Sequence, residues 1–147
     1  MGRAHAETFQ ALRADVLDRL VAIRASIDRA YERIPDEVIR GQFDLVLGNM
    51  AAYLASEDPG PYREFVKRWA AMRAGEGFAA ENVVHAMVAI GDVVRRVAHK
   101  RLGAGADGAE LVRVVTDMSG LAARVLVAEL AEELEQRAAE LAAMERR

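Results

Sequence analysis

The sequence predicts an all-helical domain, and three observations support this prediction. The chain has 147 residues, a length that suits one domain with a single core. Apolar residues recur at spacings of three and four along most of the chain, and no stretch keeps the alternation typical of a strand. Three prolines and two clusters of glycines divide the chain into five such segments. We therefore expect five helices, or six if the first one breaks.

Helix-breaking residues predict where these helices begin and end. Ile34-Pro35-Asp36-Glu37 separates the first helix from the second, because proline and acidic residues suit a first helical turn. Gly75-Glu76-Gly77 ends the third helix, because glycine adopts the left-handed conformation common at helix C-termini. In the second helix, Val38 is expected to be buried, and Gly41 and Gly48 are expected to let another helix approach closely. The expected helices cover about residues 7–33, 35–55, 61–75, 80–102 and 109–147.

The last segment is the longest, and its two halves are expected to have different roles. The apolar stripe of its first half should pack in the core. The approximately heptad apolar positions of its second half are Val127, Leu130, Leu134 and Leu141. This half would be only marginally stable as an isolated helix in water. We therefore expect residues 1–130 to form the domain and residues 131–147 to form a projecting signalling or linker helix.

Composition excludes several classes of protein. The net charge of −3 gives no basic field that would attract nucleic acid. The absence of cysteine excludes thiol catalysis, disulfides and cysteine-ligated metal, and it fits a reducing compartment. No apolar run is long enough to span a membrane, and the N-terminus has no secretory signal. Arginine outnumbers lysine and alanine is abundant, a composition typical of a GC-rich bacterial genome. We expect a cytoplasmic bacterial protein.

The sequence contains no motif for enzyme chemistry. Its serines lack a His–Asp pattern, its glycine-rich loop lacks the Lys-Ser/Thr of a phosphate-binding loop, and it has no His-Glu-x-x-His zinc motif. We therefore expect no catalytic residues, no metal and no cofactor. Two alternatives remain open. His85 could hold a haem iron in a gas sensor. The second alternative is a pocket for a small apolar ligand, lined by Tyr53, Phe65, Trp69 and Phe78.

Three short motifs in the middle of the chain carry a resemblance to a known family. They are Pro61-Tyr62-Arg63-Glu64-Phe65-Val66, Arg73-Ala74-Gly75-Glu76-Gly77-Phe78 and Glu81-Asn82-Val83-Val84-His85-Ala86. With the junction at residues 34–37, they resemble the N-terminal domain of the RsbR/RsbRD-type co-antagonists of bacterial stressosomes. The resemblance spans about residues 10–130.

This resemblance implies a globin-like helical bundle that lacks haem, forms homodimers and acts as a sensory input module. In the family, a long helix connects the module to an output domain. We therefore expect a non-enzymatic regulatory domain that responds to stress and transmits a signal through its C-terminal helix to an output domain or signalling protein. The stripe from Val127 to Leu141 is expected to form the dimer seam.

Overall fold

The computed structural model describes residues 2–103 and 105–147, and the described part is a helical bundle without strands. Five α-helices and one short 3-10 helix follow one another along the chain. Their bounds are α1 Gly2–Ile27, the 3-10 helix Arg29–Arg33, α2 Asp36–Ser56, α3 Pro59–Gly75, α4 Ala80–Leu102 and α5 Ala106–Glu145. The predicted fold is confirmed: an all-α, globin-like bundle with a long C-terminal helix. Met1, and Ala104 of the predicted loop, lie outside the described residues.

The first predicted helix breaks at Asp28, so it does not continue to residue 33, and the alternative of a sixth helical element is the one observed. Asp28 is extended, with φ −154°, and its carboxylate accepts a hydrogen bond from the Ala30 N–H at 2.9 Å. This local bond competes with the helical ladder and starts the 3-10 turn instead. The turn directs Tyr31 inward, where it is 2% exposed.

The register of α2 corrects two details of the prediction. Val38 is 50% exposed, and the fully buried residue is its neighbour Ile39. A methyl group added at Gly41 would meet no atom within 4 Å, so this glycine does not serve a close approach. Gly48 instead makes room for Arg13, whose Nη2 would lie 3.1 Å from an added methyl. Gly48 thus lets an α1 side chain lie across α2.

Helices α4 and α5 form an antiparallel pair joined by a short turn. Gly108 lies against Leu102 at the turn, and further along Gly91 of α4 lies against Ser119 of α5. Helix α1 packs on another face of α4, where Arg101 and Asp15 form an ion pair at 3.1 Å. Helix α4 therefore contacts α1 on one side and α5 on the other.

Candidate functional site

The corner between α3 and α4 contains a buried cation. Arg73 is 2% exposed. Its Nη1 donates to Glu76 Oε2 at 2.8 Å, and its Nη2 donates to Gln42 Oε1 at 2.8 Å. The backbone turns there at Gly77, with φ 91°, and the Phe78 N–H donates to the Arg73 carbonyl at 3.1 Å. One side chain therefore ties α2, α3 and the corner together.

Three aromatic rings surround the Arg73 guanidinium. Its central carbon lies 5.5 Å from the ring centroid of Trp69, 5.7 Å from that of Phe78 and 5.9 Å from that of Tyr31. These distances are within the range of cation–π attraction. Burial raises the pKa of Tyr31, although the neighbouring Arg73 acts in the opposite direction. Two buried donors at this corner, Arg73 Nε and Trp69 Nε1, have no hydrogen-bond partner among the described residues.

The four aromatic residues predicted to line a pocket fall into two groups. Tyr53 packs on Tyr62 with 5.5 Å between ring centroids, and Phe65 lies 6.5 Å from the same ring. Trp69 and Phe78 are two of the three rings that surround the Arg73 guanidinium. Phe65 and Trp69 are both buried among core side chains. These contacts place the four residues in two neighbouring groups, and a pocket for an apolar ligand stays a prediction.

His85 lies on the outside of α4. Its side chain is exposed, whereas the adjacent residues Ala86 and Met87 are 0% and 2% exposed and point into the core. A haem would need an apolar pocket around its iron ligand. The exposed position of His85 gives the haem alternative no support.

The predicted stripe on α5 is largely exposed to solvent. Val127 is 57% exposed, Leu134 is 56% exposed and Leu141 is 61% exposed. Leu130 is half-buried because it lines a cleft between α3, α4 and α5. The buried residues of α5 end at Leu126. Beyond that point the helix continues for about five turns with little cover from its own chain.

The cleft beside α5 has a volume of about 390 Å³. Small side chains of α3 and α4 form its floor, and carboxylates of α5 form one wall. Lys67 of α3 lies 4.0 Å from Glu129 of α5 and 3.9 Å from Glu64. All three side chains are well exposed, so these ion pairs contribute little stability. The cleft marks the last part of α5 that lies against the bundle.

The described residues show neither a cluster of metal ligands nor a membrane-spanning helix. Within residues 2–103 and 105–147, no three histidine, aspartate or glutamate side chains cluster in a way that could hold a metal ion. None of the described helices is both long and apolar enough to cross a bilayer.

These features define a class of fold: a helical bundle that presents a long helix with an apolar stripe. The family is shown by sequence comparison. Residues 11–147 match the family model described as the RsbT co-antagonist protein rsbRD N-terminal domain, so the chain belongs to this family. The predicted resemblance is thereby confirmed, and the chain is a regulatory domain of stress signalling. Comparison with curated proteins and with solved structures gave no significant match.

The motif at residues 73–78 predicts the turn between α3 and α4, but it does not predict the buried guanidinium of Arg73. The sequence alone does not predict that Arg73 is buried, because an arginine is normally exposed. Trp69 and Arg73 are four positions apart, so they lie side by side on a helix. This spacing of an aromatic residue and an arginine is the sequence feature that could have indicated their contact.

Proposed function

We propose that this domain is a non-enzymatic sensory input module that acts as a homodimer and transmits its signal through α5. The observation that carries the proposal is the exposed stripe of Val127, Leu134 and Leu141 on α5. Each of these residues lies seven positions from the next, which is the repeat that pairs two helices side by side.

Burial against a second copy would offset the instability of the outer half of α5. Fully burying a valine or leucine side chain stabilises a structure by about 1.5 to 3 kcal/mol. Leu141 and Met144 lie near the end of the helix and are 61% and 66% exposed. The copy of α5 in a partner is the simplest surface that matches this repeat, because the same positions would meet across a two-fold axis.

Helix α4 also carries an exposed apolar residue, Val88. The contacts of Gly91 with Ser119 and of Gly108 with Leu102 set the register of the pair, which places Val88 level with Ala122. Val88 is 46% exposed. We propose that a partner seated on the α5 stripe also covers this apolar residue of the bundle.

Transmission through α5 follows from how its two halves are held. Leu111 and Val115 are fully buried and Met118 is 1% exposed, so the first half moves with the core. The second half is one uninterrupted continuation of the same helix. A small rotation or shift of the buried half is therefore carried along the helix to an output domain or signalling partner.

Sedimentation velocity at micromolar concentration tests the proposal. The parent chain is expected to sediment as a dimer, and Leu134→Asp/Leu141→Asp is expected to sediment as a monomer because it places charges in the seam. Leu45→Asp is the matched control, since Leu45 is 50% exposed on α2 and lies outside the stripe. A parent that is strictly monomeric would refute the dimer, and a dimer that survives the double substitution would refute the seam on α5.

A further inference from the structure

A groove of about 680 Å³ lies between α1 and α4. This volume is in the range of about 300 to 1,000 Å³ that is typical of small-molecule sites. Its floor is apolar and its rim is charged. The floor is formed by Ala22, Ile23, Ala89, Val93 and Val97. Ile23 and Val97 are only half-buried, so they offer uncovered apolar surface to a ligand.

The charges on the rim do not balance. Three carboxylates line the groove, and each is ion-paired to an arginine. The pairs are Asp15–Arg101 at 3.1 Å, Asp18–Arg40 at 2.6 Å and Asp92–Arg96 at 3.1 Å. Two further cations on the rim, Arg19 and Lys100, have no carboxylate within 4.0 Å in the described part of the chain. The groove therefore has two cations available for an anion.

The two ends of the groove differ in the residues that line them. Helices α1 and α4 run antiparallel, because Asp15 pairs with Arg101 at one end and Tyr31, just beyond α1, packs on Phe78, just before α4, at the other. The two unpaired cations lie toward the first of these contacts, and the alanines of the floor lie toward the second. One end is thus cationic and the other is apolar.

We propose that this groove binds an anionic amphiphile, a molecule with a carboxylate head and a short apolar chain. The head would lie between Arg19 and Lys100, and the chain would lie along the floor toward Ala22 and Ala89. Charge complementarity orients the molecule, and burial of its chain against Ile23 supplies affinity.

The groove is well placed to influence α5. Helix α4 forms one wall of the groove and, on another face, contacts α5 where Gly91 lies against Ser119. A ligand that wedges α1 and α4 apart would press α4 on α5. This regulatory consequence rests on the proposed function, whereas binding itself does not.

Calorimetric titration of the full chain tests the binding. Octanoate is the probe, well below the concentration at which it forms micelles, and octyltrimethylammonium is the probe with the same chain and the opposite charge. We expect octanoate to bind at least ten times more tightly than octyltrimethylammonium. Arg19→Gln/Lys100→Gln should weaken octanoate binding at least tenfold. The control Arg63→Gln/Arg68→Gln removes two exposed arginines of α3 and should leave binding unchanged.

Each other outcome overturns the proposal. The absence of octanoate binding to the parent excludes the site. Equal binding of both probes shows an apolar surface without selection for an anion, and equal loss in the control variant shows attraction to overall charge. If Ala22→Glu dissociates the dimer and octanoate does not bind, the groove is covered by a second copy instead. The two proposals can fail separately: a parent that is monomeric but binds octanoate refutes only the dimer, and a parent that dimerises through α5 but does not bind octanoate refutes only the groove.

Discussion

Arg73 is the residue that organises the corner between α3 and α4. A guanidinium removed from water is costly unless its charge and donors are matched. The Arg73 guanidinium is hydrogen-bonded to the Glu76 carboxylate and the Gln42 amide oxygen, and it faces three aromatic rings. Its Nε has no hydrogen-bond partner in the described structure. The corner therefore depends on Glu76, whose carboxylate supplies the only counter-charge that ion-pairs with Arg73 among the described residues.

Two substitutions at this corner should have unequal effects. Glu76→Gln leaves the buried cation without a counter-charge and should lower the free energy of unfolding by about 2 kcal/mol. Arg73→Met removes the desolvated charge while keeping an apolar chain between the rings, and should cost less than about 1 kcal/mol. Urea denaturation measures both. Arg68→Met, exposed on the same helix, is the control, and a larger loss for Arg73→Met would contradict the argument.

Tyr62 should make the domain sensitive to alkaline pH. Burial raises the pKa of its phenol in the folded state, whereas the unfolded state keeps a value of about 10. The favourable contribution is complete below pH 10 and is lost as the pH rises further, because only the unfolded state then releases the proton. The slope is at most about 1.4 kcal/mol per pH unit.

The variant Tyr62→Phe isolates this effect. At pH 7 it should be nearly neutral, because the hydroxyl makes only a weak 3.9 Å bond to Met87 Sδ. Above pH 10 it should lose stability more slowly than the parent. Chemical denaturation at pH 7, 9 and 10.5 measures the difference, and parallel losses in both proteins would show that burial of this phenol is not the cause.

At the scale of helices, Gly91 sets the distance between α4 and α5. A methyl group there would collide with Ser119 Oγ and lie 3.1 Å from Ser119 Cβ. Gly91→Ala should therefore destabilise the domain by about 1 to 2 kcal/mol, even though alanine favours a helix by about 1 kcal/mol. Ser119→Gly in the same chain should restore most of the loss, because it removes the colliding atoms.

Gly41→Ala is the matched control for this helix pair. Its added methyl meets nothing within 4 Å, so only helix propensity changes. It should raise the free energy of unfolding by about 0.5 to 1 kcal/mol. Thermal denaturation compares Gly91→Ala, Ser119→Gly, the double variant and Gly41→Ala, and additive effects of Gly91→Ala and Ser119→Gly would contradict the proposed contact.

Local chemistry explains which helix bounds could be predicted from the sequence. The ends of α4 at Ala80 and Leu102 follow from the glycines on either side of it. The sequence leaves open a break in the first helix, but its position at Asp28 could not be predicted, because an aspartate inside an apolar periodicity is compatible with a continuous helix. The buried state of Arg73 depends on rings brought together from separate helices, and no single stretch of sequence contains that information.

At the scale of the whole molecule, α5 joins the core to the exterior. Its 40 residues extend for about 60 Å, longer than any other helix of the bundle. Its inner half is anchored by buried side chains, and its outer half offers an apolar stripe. The α1–α4 groove and the α4–α5 contact lie on different faces of one helix. The proposed ligand groove and the proposed dimer seam thus lie on helices that contact each other directly.

A chain that ends at Leu130 tests this division of α5. The buried residues of the helix stop at Leu126, so the shortened chain should unfold cooperatively with a loss of less than about 1 kcal/mol. It should also dimerise at least ten times more weakly, because Leu134 and Leu141 are gone. A chain that ends at Ala122 is the control and should unfold, since it lacks the buried Val125 and Leu126. Calorimetry and sedimentation measure both properties. If the chain ending at Leu130 is unfolded, residues 131–147 belong to the core, and if it dimerises like the parent, the seam lies elsewhere.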